Sequence, residues 1–143
     1  EQPGDDTRED VAVDSEQGIA PVDLGGDVWL IDTQMGGFDG ITAGYLIRGE
    51  RPALVETGAA KNADDVERAL AGLGVGPADL ATVVVTHIHL DHAGGVGDIA
   101  ARYPHAQVVV HEAGARHLVD PGKLMRSARM VFGRIIQFTR MQL

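Results

Sequence analysis

The stretch of sequence that decides the fold reads TVVVTHIHLDHAGG and runs from residue 82 to residue 95. It begins with the β-branched run Thr82–Val85, which predicts a strand buried on both faces, as in a parallel sheet. It ends with three small residues, Ala93–Gly95, which let the backbone turn tightly before a helix that opens near Gly94 or Gly95. The polar residues in between therefore follow the carboxyl end of a buried strand, where open α/β sheets place their ligand sites.

Three imidazoles and one carboxylate occupy six consecutive positions of this stretch, as His87, His89, Asp91 and His92. In an extended segment, His87 and His89 project to the same side and can bind one metal ion. A turn at Leu90 then allows Asp91 and His92 to face a second ion. Neutral imidazole and carboxylate suit zinc, with iron or manganese as alternatives. The competing interpretation is a loop with surface histidines, but chance gives this spacing only on the order of one time in a thousand.

Apolar runs and helical patterns alternate on both sides of this segment. Further strands are predicted at Val28–Ile31, Tyr45–Ile47, Ala53–Val55 and Val108–Val110. A helix is predicted after Asn62, which can cap it, because Val66, Leu70 and Leu73 recur at helical spacing. Residues 113–119 predict another short helix. The alternation from residue 53 onward predicts an α/β layered fold.

The two ends of the chain differ in charge from its middle. Residues 1–20 are acidic and polar and predict a flexible lead-in, so that the domain itself spans residues 21–143. After Asp120 the chain has basic residues and no acidic one. An apolar face from Leu124 to Phe138 predicts an amphipathic terminal helix. A truncated or altered reading of a longer chain is the competing interpretation.

Composition excludes several kinds of protein. The net charge is −9, with 12 Lys and Arg against 21 Asp and Glu, which argues against nucleic acid or an anionic membrane as a partner. The absence of cysteine excludes disulfides and thiolate zinc sites. No apolar run approaches the roughly 20 residues that span a bilayer. No secretory leader is recognisable, so we expect a cytoplasmic protein.

Three segments resemble one family. Residues 86–95 resemble the signature of the metallo-β-lactamase superfamily, and Leu54–Gly58 resembles its first motif, although most members carry Asp where this chain has Glu56. Residues 28–33 resemble its opening strand. The resemblance covers roughly residues 22–132. It is closest to the glyoxalase-II-like hydrolases, in which a segment similar to residues 110–118 follows the next strand.

The resemblance implies an αββα sandwich, of which this chain matches the N-terminal half, a mixed sheet with helices on one face. It implies that His87 and His89 bind a first zinc ion and that Asp91 and His92 bind a second. Asp91 would also act as the catalytic residue that orients or deprotonates the attacking water.

Two further residues receive less direct expectations. The resemblance implies that Glu56 supports the ligand segment through hydrogen bonds, whereas a simple carboxylate at the end of a strand is the alternative. His111 lies just past a predicted strand and could approach the metals or the substrate. A structural or solvated role is its alternative.

The implied function is hydrolysis of a small molecule, a thioester, lactone or similar ester, by metal-bound hydroxide. The family's remaining ligands lie downstream of the first motif, and no histidine follows His117 in this chain. We therefore expect this polypeptide to bind metal weakly and to hydrolyse slowly or not at all. A non-catalytic remnant that acts as a metal-binding or interaction domain is the alternative function. A homodimer could cover the open face of the sheet.

Overall fold

Six strands form one sheet in the computed structural model, which describes residues 18–132. The strands are β1 (Val22–Asp23), β2 (Val28–Asp32), β3 (Ala43–Ile47), β4 (Ala53–Val55), β5 (Thr82–Val84) and β6 (Gln107–Val109). The helices are α1 (Ala63–Gly72), α2 (Leu90–Ala93), α3 (Val96–Arg102), α4 (Glu112–Val119) and α5 (Gly122–Phe132). Short 3₁₀ turns occupy Met35–Gly37 and Ala60–Asn62.

The strands lie in the sheet in the order in which they occur in the chain. Strands β1 to β4 form an antiparallel meander, whereas β5 pairs parallel to β4 and β6 pairs parallel to β5. Parallel neighbours need crossover connections, which are nearly always right-handed. Two such crossovers that advance in the same direction place α1 and α3 on the same face of the sheet, where the two helices contact each other. The predicted mixed α/β fold is confirmed.

The core lies between this helical layer and one face of the sheet. It is built from aliphatic side chains on alternate strand positions, which meet apolar residues of α1 and α3. Those with no more than 2% of their surface exposed include Ile31, Leu46, Leu54, Val66, Leu70, Val83, Val96 and Ile99. The opposite face is also apolar: the strand register aligns Leu30, Tyr45, Val55, Val84 and Val109 in one row. Tyr45 and Val109 are 37% and 44% exposed, and the homodimer that would cover this face stays a prediction.

Two strand predictions were wrong in their burial. Val83 and Val85 are buried, but Val84 points to the opposite face and is only half-buried, so β5 is not buried on both sides. The segment predicted as a buried strand, Val108–Val110, contains most of β6, which is the edge strand of the sheet. Both errors have the same cause, because a β-branched run does not reveal how many layers cover a sheet.

Asn62 was predicted to cap α1, and this prediction was wrong. Its side chain makes no capping hydrogen bond. Instead its Nδ2 donates to the carbonyl oxygen of Gln34 at 3.0 Å and to Oδ2 of Asp65 at 3.2 Å. Asn62 therefore ties the loop after β2 to the first turn of α1, a contact between residues distant in sequence.

Several predictions reach beyond the described residues. The amphipathic terminal helix was predicted from Leu124 to Phe138, and α5 accounts for its part up to Phe132. Most of the predicted lead-in, residues 1–17, also lies outside the described range. Between residues 18 and 132, no helix combines the length and the apolar character that crossing a membrane would require.

A glycine that follows β4 provides a test of this packing. Gly58 has a φ of +72°, and a Cβ added to it would lie 2.7 Å from the Cβ of Thr33. Gly25, in the hairpin between β1 and β2, has a φ of +84° but open space around it. We expect Gly25→Ala to lower the free energy of unfolding by about 1 kcal/mol, the cost of left-handed backbone alone. Gly58→Ala should cost about 3 kcal/mol, because overpacking adds to that strain. Equal losses in urea unfolding would contradict this account.

Tyr103, which follows α3, predicts a pH dependence of stability. It is 1% exposed, and burial raises the pKa of its hydroxyl to about 12, against about 10 in an unfolded chain. The unfolded state therefore loses this proton first, so the contribution to stability is complete below pH 10 and is lost as the pH rises towards 12. Tyr103→Phe should lower the difference between the free energies of unfolding at pH 8 and pH 11. The control Tyr45→Phe, at an exposed position, should keep the wild-type difference; a Tyr103→Phe protein that also keeps it would contradict the prediction.

Candidate metal centre

The histidine-rich segment lies beyond the carboxyl end of β5, as the sequence predicts. His89 has an extended backbone and immediately precedes α2, and its carbonyl oxygen accepts hydrogen bonds from the amides of His92 and Ala93 at 3.0 and 2.8 Å. The chain thus bends after His89 into a single helical turn. Gly94 and Gly95 then join α2 to α3. This bend brings the residues before and after it together at the carboxyl end of the strands.

The turn after β4 holds this segment in place. The amides of Thr57 and Gly58 donate to the carbonyl oxygen of His92 at 3.0 and 3.1 Å, and the hydroxyl of Thr57 donates to the same oxygen at 3.2 Å. In return, the amide of Gly95 donates to the carbonyl oxygen of Gly58 at 2.9 Å. A Cβ on Gly95 would lie 3.2 Å from the carbonyl oxygen of Ala59, so close contact between the two segments favours glycine there.

The three imidazoles of the segment converge. The ring centroids of His87 and His89 are 4.9 Å apart, and those of His87 and His92 are 4.3 Å apart. Nδ1 of His87 is 2.8 Å from the hydroxyl of Thr86, which fixes the orientation of its ring. His87 and His89 are exposed, whereas the side chain of His92 is 29% exposed. The rings therefore border solvent, while hydrogen bonds to the turn after β4 hold the backbone of their segment.

Asp91 and His92 face each other in spite of being adjacent in sequence. Oδ2 of Asp91 lies 3.3 Å from Nε2 of His92. Two atoms that bind one ion at about 2.0–2.1 Å in a tetrahedral arrangement are separated by a similar distance. The pair predicted to share an ion therefore has the spacing that such an ion needs.

Glu56 supports the segment from below. It follows β4, is 5% exposed, and has a φ of +68°, a left-handed conformation that is unusual for a residue other than glycine. Its Oε1 accepts a hydrogen bond from the amide of Thr86 at 2.8 Å. Its Oε2 lies 3.5 Å from Nδ1 of His92 and has no hydrogen-bond partner. A buried carboxylate oxygen without a partner is costly, so this site favours a cation or a hydrogen-bond donor next to it.

Donor atoms of Glu56, His87 and His92 lie within 4.8 Å of one another, which makes them a possible metal-binding group. It is the one such group among residues 18–132. The fit to a divalent ion rests on this donor set and on the unpartnered oxygen of Glu56. The inclusion of Glu56 in this group is a finding that the sequence motif alone does not give.

His111 has a local role in the structure. Its Nδ1 accepts a hydrogen bond from the amide of Ala113 at 3.2 Å, so its side chain caps the start of α4. It also lines a groove that includes His87. Its donor atoms do not join the metal-binding group. The contacts of Thr57 were missed by the sequence analysis, although the Thr-Gly pair after Glu56 was the available signal.

Three comparisons relate this chain to known proteins. A family model described as the metallo-beta-lactamase superfamily matches residues 36–138. A putative diflavin flavoprotein A 1 of Thermosynechococcus vestitus is 41% identical over 76 residues, which cover 53% of this chain and 13% of that protein. A metallo-beta-lactamase domain-containing protein 1 of Xenopus laevis is 32% identical over 88 residues, 62% of this chain and 32% of that protein.

A metallo-beta-lactamase of Cronobacter sakazakii has a solved structure that superposes with a TM-score of 0.67 at 21% identity, over 89% of this chain and 45% of that one. This likeness shows the fold. The chain spans a third or less of these two curated relatives and under half of the solved structure. The family match itself extends over most of the residues from β3 through α5. The chain therefore belongs to the metallo-beta-lactamase superfamily.

Proposed function

We propose that this chain carries the metal-binding edge of a hydrolase that cleaves a thioester, lactone or similar ester of a small molecule. The observation that carries the proposal is the convergence of donor atoms of Glu56, His87 and His92 beyond the carboxyl ends of β4 and β5, with His89 and Asp91 next to them. The fold supports it, because the metallo-beta-lactamase fold suggests a metal-dependent hydrolase and commonly binds divalent metals such as zinc.

The assignment of ligands follows the family resemblance, and the structure supports it only in part, because its converging donor group combines His87 with His92 and Glu56. His87 and His89 would hold one ion, and Asp91 with His92 would hold a second. Imidazole and carboxylate suit zinc, with iron or manganese as alternatives. A bound divalent ion lowers the pKa of its water towards 7 and so supplies a nucleophile at neutral pH.

The residues of this chain would position and deprotonate that water. Asp91, 32% exposed and next to Nε2 of His92, would accept a hydrogen bond from the water and then its proton. Glu56 acts behind it: with Oε2 near Nδ1 of His92, it favours the tautomer that carries its proton on Nδ1 and leaves Nε2 free as a ligand. Oε1 of Glu56 holds the amide of Thr86 and thereby the start of the ligand segment.

One observation favours the alternative, a non-catalytic metal-binding or interaction domain. A catalytic zinc site usually has three protein ligands, and in the described part of the chain the group with converging donors contains only two histidines. His89, His105, His111 and His117 lie outside that group. Metal binding without turnover is therefore the second candidate function.

The first test is hydrolysis of a thioester by the zinc-loaded chain. If the chain is a hydrolase, we expect slow release of thiol from S-phenyl thioacetate, which a chelator abolishes and added zinc restores. His87→Ala should weaken zinc binding, and Asp91→Asn should lower kcat by about 100-fold or more because it removes the proton acceptor. His105→Ala, a change at an exposed histidine in the loop before β6, serves as the matched control and should leave both quantities unchanged.

The outcomes separate the two candidates. Zinc binding that depends on His87 without any thioester hydrolysis would favour the metal-binding domain. Failure to bind zinc, iron or manganese would reject the metal-dependent hydrolase and leave only the interaction domain.

The second test concerns Glu56. Glu56→Gln keeps the length of the side chain but removes its charge, so zinc affinity should fall by about 10-fold to 100-fold. The metal-free variant should be at least as stable as the wild type, because a buried carboxylate oxygen without a partner no longer has to be desolvated. Competition titration and thermal unfolding measure the two quantities, with Glu112→Gln on exposed α4 as the control. An unchanged zinc affinity would reduce Glu56 to a simple carboxylate at the end of a strand.

A further inference from the structure

A groove of about 300 Å³ lies next to the candidate metal centre. One side is formed by the segment after β5, with His87 and Ile88, and the other by the residues after β6 and the first turns of α4. Its lining is Thr86, His87, Ile88, Val110, His111, Ala113, Gly114 and His117. Ligand sites of small molecules begin at about this volume and combine a mainly apolar lining with a few polar groups.

A glycine determines how closely the two walls of this groove pack. A Cβ on Gly114 would lie 2.7 Å from Cγ2 of Ile88 and 3.3 Å from Cγ2 of Val110. The missing side chain therefore lets α4 pack directly against the segment that carries His87. The cap that His111 provides fixes the start of the same helix. The groove is thus a product of packing between two elements rather than a gap in a loop.

We propose that this groove binds the aliphatic acyl chain of the substrate, while the carbonyl group lies at the metal centre. The inference rests on the proposed function, because His87 belongs both to the metal-binding group and to the wall of the groove. A substrate held at His87 can extend into the groove without crossing a barrier of protein. The substrate class is then a thioester or ester of a medium-length, uncharged acyl group.

The chemistry of the lining selects this occupant. Neither a carboxylate nor a lysine or arginine is among the residues that line the groove. A charged substituent would therefore lose hydration there without gaining an ion pair. The imidazoles line the groove next to aliphatic groups, so a bound alkyl chain would contact Ile88, Val110 and Ala113.

Binding can be tested without turnover. The probes are sodium hexanoate and sodium acetate, titrated into the full zinc-loaded chain and followed by amide chemical shifts in NMR. Both share the carboxylate, so the difference between them reports the alkyl chain. We expect hexanoate, and not acetate, to shift the amides of Ile88, Ala113 and Gly114, and to bind at least about tenfold more tightly, as burial of several methylene groups implies.

Matched variants localise the effect. Ala113→Trp places a bulky side chain in the groove, and Ala101→Trp makes the same change at an exposed position of α3. Ala113→Trp should abolish the difference between hexanoate and acetate, whereas Ala101→Trp should keep it. With thioester substrates, Ala113→Trp should lower kcat/KM for the hexanoyl compound at least about tenfold more than for the acetyl compound, whereas Ala101→Trp should leave both values unchanged.

The outcomes also separate this inference from the proposed hydrolase. Hexanoate-specific shifts in a protein that cleaves no thioester would reject the hydrolase and keep the apolar site. Equal shifts with acetate and hexanoate in the wild type would overturn the groove proposal whether or not thioesters are cleaved. That wild-type comparison decides the matter even if Ala113→Trp fails to fold.

Discussion

The carbonyl oxygen of His92 accepts three hydrogen bonds from the turn after β4, and the candidate site depends on this junction. Two amides and one hydroxyl, from Thr57 and Gly58, reach that oxygen at 3.0 to 3.2 Å. A carbonyl has two lone pairs, so this acceptor is fully used by protein groups. The junction fixes the segment between His87 and His92 against a neighbouring strand, and the imidazoles can converge without being buried themselves.

Glu56 shows what this arrangement costs. Its left-handed backbone and its buried, unpartnered oxygen both disfavour the folded state. Neither feature contributes to packing, since an apolar side chain would fill the same space without desolvating a charge. Gly44 is adapted to the same junction, because a Cβ there would lie 2.9 Å from the carbonyl oxygen of Glu56. Local strain of this kind is concentrated where a fold serves a site rather than its own stability.

The sequence was sufficient to predict the strands and helices that follow from local patterns. It was not sufficient for features that depend on contacts between residues distant in sequence. The strands around Ala53–Val55 and Thr82–Val85 and the helix after Asn62 follow from apolar periodicity, which is a property of short windows. The position of the histidines beyond β5 follows from the same run. The hydrogen bond from Asn62 to Gln34 and the edge position of β6 do not, since each depends on which segments meet in the fold. For Glu56, resemblance indicated a supporting role, but only the structure gives its distance from His92.

The order of the strands explains how residues at one end of the sheet can have three different roles. Strands β4, β5 and β6 are parallel neighbours, so the residues that follow them emerge side by side. Those after β4 support the site through Glu56 and Thr57, and those after β5 present the imidazoles. The residues after β6 form the outer wall of the groove with Val110 and His111. Because β5 lies between the other two, Thr86 and His87 border both the carboxylate of Glu56 and the apolar groove. The separation between the candidate metal site and the proposed acyl groove therefore follows from strand order.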